Sequence, residues 1–526
     1  MTNEFNNNFQ YDNCAAQGIC SVNPRSSSLQ EVLTLYLQAA SYYALKLLEN
    51  NICNLELKWL ILNTISVIIS NPEFSETDFK AIVSKFNEYI PKVIKEYEKA
   101  CQNRGKDVKY LKTALKFNKK NDITKFIQIG EKEFLKKSRF ATQEIRNMYK
   151  IIFVLAKSIC ANIFDLESFN VEEKDGYLTI LNLINSLNNE TSQEKVKKLI
   201  QKASIVDRNM IEMLRQAQIK NYGEQKREKV SFSTTPSKAI LVVGSNLKEL
   251  EEILEAVNGT EIDIYTHDEM MLAHTFPKFS KYKNLKGQYG QELDNCLLDF
   301  ATFPGPIVLT QHSLYNVEHL YRGLLYSTDF VSAKGVIQIK NKDFSPVIKA
   351  AQEAKGFKTG RQSKTIDVGF VTDEVHQIVL EKLSKNSYSN IFIIGLGRNS
   401  QIQQTYFEKF LKFVPDDVLV ISLSHCQERE NIVCLNAHYD SYALINIAEF
   451  VLDNSKFPIT IFFPECDKHS IAKMIYFSLK SNVKIYAGQC VSIILNPNLM
   501  ETLKNIFQIN SISSPKKDLE TILKDD

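Results

Sequence analysis

The chain has 526 residues, 44% of them hydrophobic and 24% charged, a composition ordinary for a folded protein of three or four domains. Its 64 basic and 61 acidic residues leave a net charge of +3, too near neutral to predict a nucleic-acid or acidic-membrane surface. No early stretch joins a basic region to an apolar one, and the longest apolar runs, such as WLILNTISVIIS, stop short of the roughly 18 residues of a spanning helix. The expected setting is therefore the cytoplasm, with no secretory leader and no membrane. There, ten cysteines predict ligands, reactive thiols or small core residues, not a disulfide framework.

In chain order, Cys14 and Cys20 come first, in the C-x5-C spacing of CAAQGIC. By themselves they fit a metal-binding turn, half of a disulfide pattern, or ordinary thiols ahead of a helix. From about Ser27 to Asn221 the pattern is helical throughout. SLQEVLTLYLQAASYYALKLLE repeats apolar residues at three- and four-residue intervals, and SSSLQE offers a serine N-cap. Cys53, Cys101 and Cys160 fall in these patterns and read as core residues. The polar stretch NYGEQKREKVSFSTTPSK reads as a linker over 223–238.

From KAILVVGSN onward, short β-branched runs alternate with helical patterns: EIDIYTHDE, GPIVLTQHS, NIFIIGLGRN, DVLVISLSHC, ITIFFPECD and VKIYAGQ. That alternation predicts two α/β, Rossmann-like domains with parallel sheets, over 239–365 and 366–526, behind a helical bundle at 1–222. GFKTGRQSKTIDVGF is the expected separator. In such sheets the loops leaving the strand C-termini carry the chemistry. GLGRNS follows a good strand but has no third glycine and no downstream acid, and there is no P-loop, so no nucleotide cofactor is expected.

Those strand-end loops carry a resemblance. YTHDEM…LAH (265–274), YKNLKGQYG (282–290), FPGPIVLT (303–310), YDSYAL (439–444) and the opening CxxxGxC…LQEVL resemble the hybrid-cluster protein family. This family is also called prismane or hydroxylamine reductase, and is related to nickel carbon monoxide dehydrogenases. The resemblance implies a helical domain, two α/β domains, a buried hybrid iron–sulfur–oxygen cluster where the three meet, and a second, cubane cluster near the N-terminus. It also implies a homodimer, an oxidoreductase activity and a redox protein as partner.

Carried over residue by residue, the implied ligand set is mostly altered. Cys14 and Cys20 match the second cysteine pair of the N-terminal cubane, while the first pair falls near Thr2 and Phe5. The histidine of the G-H-[DN]-L turn is Ser245 in GSNL. The glutamate of the THGEM motif is kept as Glu269. Two cysteine positions become Ser313 and Leu396. The cysteine ending SLSHC is kept as Cys426, beside His425, and the cysteine before NDSY becomes His438. The late E-x-K region reads PECDKHS, with Glu465, Asp467, Lys468 and His469. Iron in such clusters takes soft thiolate and sulfide donors, which serine and leucine cannot replace. The expectation is that the hybrid cluster and its hydroxylamine reductase activity are lost.

Two readings follow. Two chains could each lend Cys14 and Cys20 to one shared [4Fe-4S] cluster; otherwise the two residues are a redox-sensitive pair or relic thiols. The old cavity could hold mononuclear zinc or iron on Glu269, Cys426, His438, His312, His425, Asp467 and His469, a mixed N/O/S set. Otherwise these polar residues line a solvated cavity. His267 and His274 are expected to brace Glu269, and Asp440 to cap a helix.

Overall fold

The computed structural model describes residues 24–69, 75–113, 115, 122–140, 142–188, 192–290, 296–313, 324–332, 335–385, 388–395, 401–438, 440–464, 467–488 and 497–524. Cys14, Cys20, Leu396, Tyr439, Glu465, Cys466 and Cys490 lie outside them. The chain divides into two compact units, the boundary falling between Met210 and Ile211.

The first unit runs to Met210 and includes Asp329–Gln338. It is built from helices α1 (Pro24–Leu48), α2 (Leu55–Ile69), α3 (Glu76–Asn103), α4 (Ile123–Phe140), α5 (Gln143–Ser168), α6 (Asp175–Ser186) and most of α7 (Gln193–Tyr222). Helix α1 is already formed at Pro24, so the serines expected to cap it sit inside its first turns. Proline's fixed φ suits it to open a helix. Apolar side chains at helical spacing close the core, with Tyr36 stacked on Phe86 at 5.4 Å. Asp207 is fully buried and accepts from Ser158 Oγ (2.6 Å) and Asn162 Nδ2 (3.0 Å), tying α7 to α5. Cys101 and Cys160 are core residues, as expected. Cys53 is not: it is exposed in the turn between α1 and α2, where Asn51 takes a left-handed conformation that ends the helical pattern. None of the described helices is long and apolar enough to cross a membrane.

The second unit holds the strands β1 (Glu228–Ser231), β2 (Lys238–Val243), β3 (Ile262–His267), β4 (Leu285–Gln288), β5 (Ile307–Leu309), β6 (Leu325–Ser327), β8 (Thr365–Val368), β9 (Asn390–Ile394), β10 (Val418–Ser422), β11 (Ile432–Cys434), β12 (Ile459–Phe463), β13 (Val483–Ala487) and β14 (Ile509–Ser511); the short β7 (Ile337–Gln338) falls in the other unit. Helices α8 (Leu247–Ala256), α9 (Cys296–Thr302), α10 (Ser345–Glu353), α11 (Thr372–Lys385), α12 (Gln401–Phe413), α13 (Ser441–Asn454), α14 (Ser470–Ser478), α15 (Pro497–Phe507) and α16 (Pro515–Lys524) alternate with them.

Two parallel sheets result, as the alternation predicts. From β4 to β6 the first runs β4-β3-β2-β5-β6, and the second runs β11-β10-β9-β12-β13-β14. Each winds from its first strand to one side and then crosses to the other. That is the doubly wound order, with a switch point between β2 and β5 in one sheet and between β9 and β12 in the other. The central strands β2, β9 and β12 are buried on both faces, as parallel sheets covered by helices require.

The expected linker and separator are not passive. β1 lies in the first and β8 in the second, and they pair antiparallel, Val230 opposite Ile366. Val230 and Phe232 alternate inward, and with Met271 and Val368 they make a small core of their own.

Candidate functional site

At the first switch point, Gly244 follows β2 with φ 120°, a conformation that side chains rarely adopt. A Cβ there would run into Thr310 Oγ1 and Ser313 Oγ, so the GSNL and TQHS turns are packed directly together. Asn246 then caps α8, its Oδ1 accepting from the backbone of Lys248 and Glu249 at 3.1 Å. Ser313 Oγ donates to the Thr310 carbonyl (2.6 Å), within its own turn. Ser245 Oγ accepts from Lys468 Nζ at 3.3 Å. His312 is buried with a left-handed backbone. Burial first, and the nearby Lys468 ammonium second, hold its imidazole well below the usual histidine range.

Glu269 lies half-buried in a 3-10 segment, Asp268–Thr275, after β3. The two histidines beside it in the chain each have a polar partner. His267 Nε2 pairs with Asp299 at 3.2 Å, and His274 Nε2 meets Thr266 Oγ1 at 2.9 Å. Burial pushes His274 down to about 4. Its folded pKa thus lies below the unfolded value of about 6.5, so the unfolded chain binds more protons between the two. Stability contributed by the neutral ring is whole above pH 7 and is lost as pH falls toward 4, by roughly 2–3 kcal/mol. Urea unfolding of wild type against His274→Gln should show the wild type losing ground between pH 7 and 4; parallel curves would contradict this.

At the second switch point, Asp467 precedes α14 and is buried. Its Oδ1 accepts from the His469 amide (2.8 Å) and Ser470 Oγ (2.8 Å), and its Oδ2 from Ser441 Oγ (2.7 Å) and Lys473 Nζ (2.8 Å). Burial alone would raise its pKa, but Lys473, His469 and these donors hold it well below the usual carboxylate range. Asp467 is thus fully engaged in the turn ahead of α14 and in an ion pair with buried Lys473, and His469 is the buried residue at the head of α14. Asp440 caps α13 as expected, accepting from the Tyr442 and Ala443 amides. Its partner is the buried Arg215 guanidinium, which also lies over the Tyr442 ring at 4.8 Å.

Beside the second sheet is a cavity of about 1140 Å³, lined among others by Gly395, Pro464, His425, Cys426, Asn436 and His438. His425 is exposed at its edge. His438 is half-buried with φ 32°; burial, then the His425 and Lys364 charges, pushes its imidazole down to about 4. Cys426 does not present a thiolate here. It is joined to Cys434 by a disulfide with a Cα–Cα distance of 5.9 Å, a pairing absent from the sequence expectations. The two cysteines meet because Cys434 ends β11, the parallel neighbour of β10, whose exit loop carries Cys426.

The structure thus gathers Ser245, His312, Ser313 and Lys468 around one turn pair, and His425, Cys426 and His438 around the cavity. Among the described residues, no group of three or more His, Cys, Asp or Glu side chains converges as a metal-holding set. Sequence reasoning missed Lys473, Arg215 and Cys434. Lys473 had a signal, a lone cation within the apolar SIAKMIYFS, whereas Arg215 and Cys434 owe their roles to distant partners.

Comparison with known proteins gives a consistent result. A model of the Prismane/CO dehydrogenase family matches residues 9–429. The hydroxylamine reductase of Thermodesulfovibrio yellowstonii is 24% identical over 97% of this chain and 98% of its own length. That of Kosmotoga olearia is 26% identical, covering 97% of each chain. A solved structure of the alpha subunits of acetyl-CoA synthase/carbon monoxide dehydrogenase aligns at 10% identity and a TM-score of 0.47, over 97% of this chain and 83% of that one, a likeness too low to argue from. On the extent of the match from residue 9 to 429, the chain belongs to the Prismane/CO dehydrogenase family.

Proposed function

We propose that this chain is a divergent member of its family that has lost the hybrid cluster and does not reduce hydroxylamine, although its curated relatives carry that name. The observation that carries this reading is the hydrogen bond from Lys468 to Ser245. Where the resemblance puts a ligating imidazole, the chain has a neutral hydroxyl facing an ammonium group, and that charge repels a metal cation. Around it, Ser313 donates to its own turn, Cys426 is closed in a disulfide, and Asp467 is filled by four donors. Iron–sulfur clusters take deprotonated soft donors, and these residues supply none in this arrangement. They do not fit the hybrid cluster.

The reading keeps a single [4Fe-4S] cluster at the N-terminus, held by Cys14 and Cys20 from each of two chains. It therefore makes the protein a cytoplasmic homodimer that works by binding, with a redox protein as its natural partner. A second reading, a metalloenzyme with zinc or iron on a refitted site, is favoured by one observation: His425 and His438 lie close enough for the charge of the first to depress the pKa of the second. A bound cation takes imidazole nitrogens as ligands, and these two rings are neighbours.

The test is hydroxylamine reduction by the full chain with an artificial one-electron donor. No turnover above buffer is expected. Turnover lost in His438→Ala would favour the refitted metal site; turnover that survives that change, with iron and sulfide beyond one shared cubane, would overturn the proposal.

A further inference from the structure

We infer that the Cys426–Cys434 disulfide is a thiol–disulfide exchange site for small acidic thiols, entered through the cavity beside the second sheet. The inference needs no metal; it shares with the proposed function only the premise that Cys426 is not a cluster ligand.

The two sulfurs are unequal. Cys426 lines the cavity, whereas Cys434 is 8% exposed and packs with Phe392, Phe410 and Phe462. An incoming thiol therefore meets Cys426 first. The loop between them is short and its middle, residues 427–430, is exposed, so the bond can open without disturbing the sheet core. The cavity wall carries Lys364, Lys412 and Arg429 against Asp367 and Glu408, together with His425 and His438, and His425 directly precedes Cys426 in the chain. An electropositive, partly open surrounding of this kind favours thiolate over thiol and attracts an anionic substrate.

The exchange is balanced without a further reagent. A thiolate forms a bond to Cys426 Sγ, the Cys426–Cys434 bond breaks, and its electron pair and a proton go to Cys434. A second thiol attacks the mixed disulfide, leaving as an oxidised dimer and freeing Cys426. Two small thiols are oxidised and one protein disulfide is reduced. Reduction also releases a sulfur donor into the cavity beside His425 and His438, so the thiol state of the surroundings would govern which groups the cavity presents.

The test uses the native full chain and glutathione as the probe. Protein is equilibrated at pH 7 with reduced or oxidised glutathione, its thiols are blocked, and after denaturing reduction the remaining cysteines receive a second label read by peptide mass spectrometry. The expected result is that Cys426 and Cys434 switch labels together with the glutathione state, while buried Cys101 and Cys160 do not report a disulfide in either. In Cys434→Ser, glutathione should be trapped on Cys426 as a mixed disulfide. A pair that exchanges only after denaturation, a structural staple, would overturn the inference, as would a pair of thiols that stays reduced in oxidised glutathione. Iron lost in Cys426→Ser would instead identify a metal bound through that residue and fail the proposed function separately.

Discussion

Replacing Arg215 with methionine should destabilise the α/β unit by about 3–5 kcal/mol, the loss typical of breaking one side of a buried ion pair. Its side chain is 4% exposed and that of Asp440 is 1% exposed. The guanidinium also lies over the rings of Tyr442 and Phe276 at 4.8 and 5.7 Å. Without it, the Asp440 carboxylate is left in a site that water does not reach, while still capping α13 through the Tyr442 and Ala443 amides. Arg215→Met with Asp440→Asn removes both charges and keeps an oxygen at the cap, so the double variant should recover much of the loss. Urea midpoints of the two single variants and the double give the coupling directly. Single variants within about 0.5 kcal/mol of wild type, the range of ordinary surface changes, would contradict the arrangement.

Asp467→Ala should cost a similar amount, about 3–5 kcal/mol, for the same reason. It strands the Lys473 ammonium, 1% exposed, and removes the acceptor shared by Ser441, Ser470 and the His469 amide. This pair carries a pH signature. Its folded pKa lies below the unfolded value of about 3.9, so the stability it contributes is fully present above that value and is lost as pH falls through the folded one. The gap between wild type and Asp467→Asn should therefore be widest near neutrality and narrow in acid. A gap that stays constant from pH 7 to 3 would show that the Asp467 charge does not matter to folding.

The fold was legible because its signals are local. The period of three to four residues in the first 220 positions and the short β-branched runs after Lys238 each report an element's own environment. Strand order was legible only as a class, since nothing in DVLVISLSHC tells which neighbour β10 takes. The strand within the linker was not legible, because Val230 and Phe232 gain their value from β8, more than 130 positions on. The site divides the same way. That Ser245, Glu269, Ser313 and Cys426 lie in turns leaving strands could be read from the alternating pattern, and Asp440 from its place before a helix. The partners could not. Lys468 meets Ser245 across 223 positions, Arg215 meets Asp440 across 225, and Cys426 meets Cys434 only because β10 and β11 are neighbours. Cys53 failed as a core residue because a helical period says nothing of where a helix stops.

The proposed function holds that the scaffold of the family is kept while its hybrid cluster is gone. The most direct measurement is iron and acid-labile sulfide per chain, on full-length protein purified without oxygen, beside the Cys14→Ser/Cys20→Ser variant. The account predicts about two iron and two sulfide per chain, one cubane shared by two subunits, falling to none in the variant. Several iron and sulfide per chain that persist without Cys14 and Cys20 would contradict it, because they would have to sit where Ser245, Ser313 and the Cys426–Cys434 disulfide now stand.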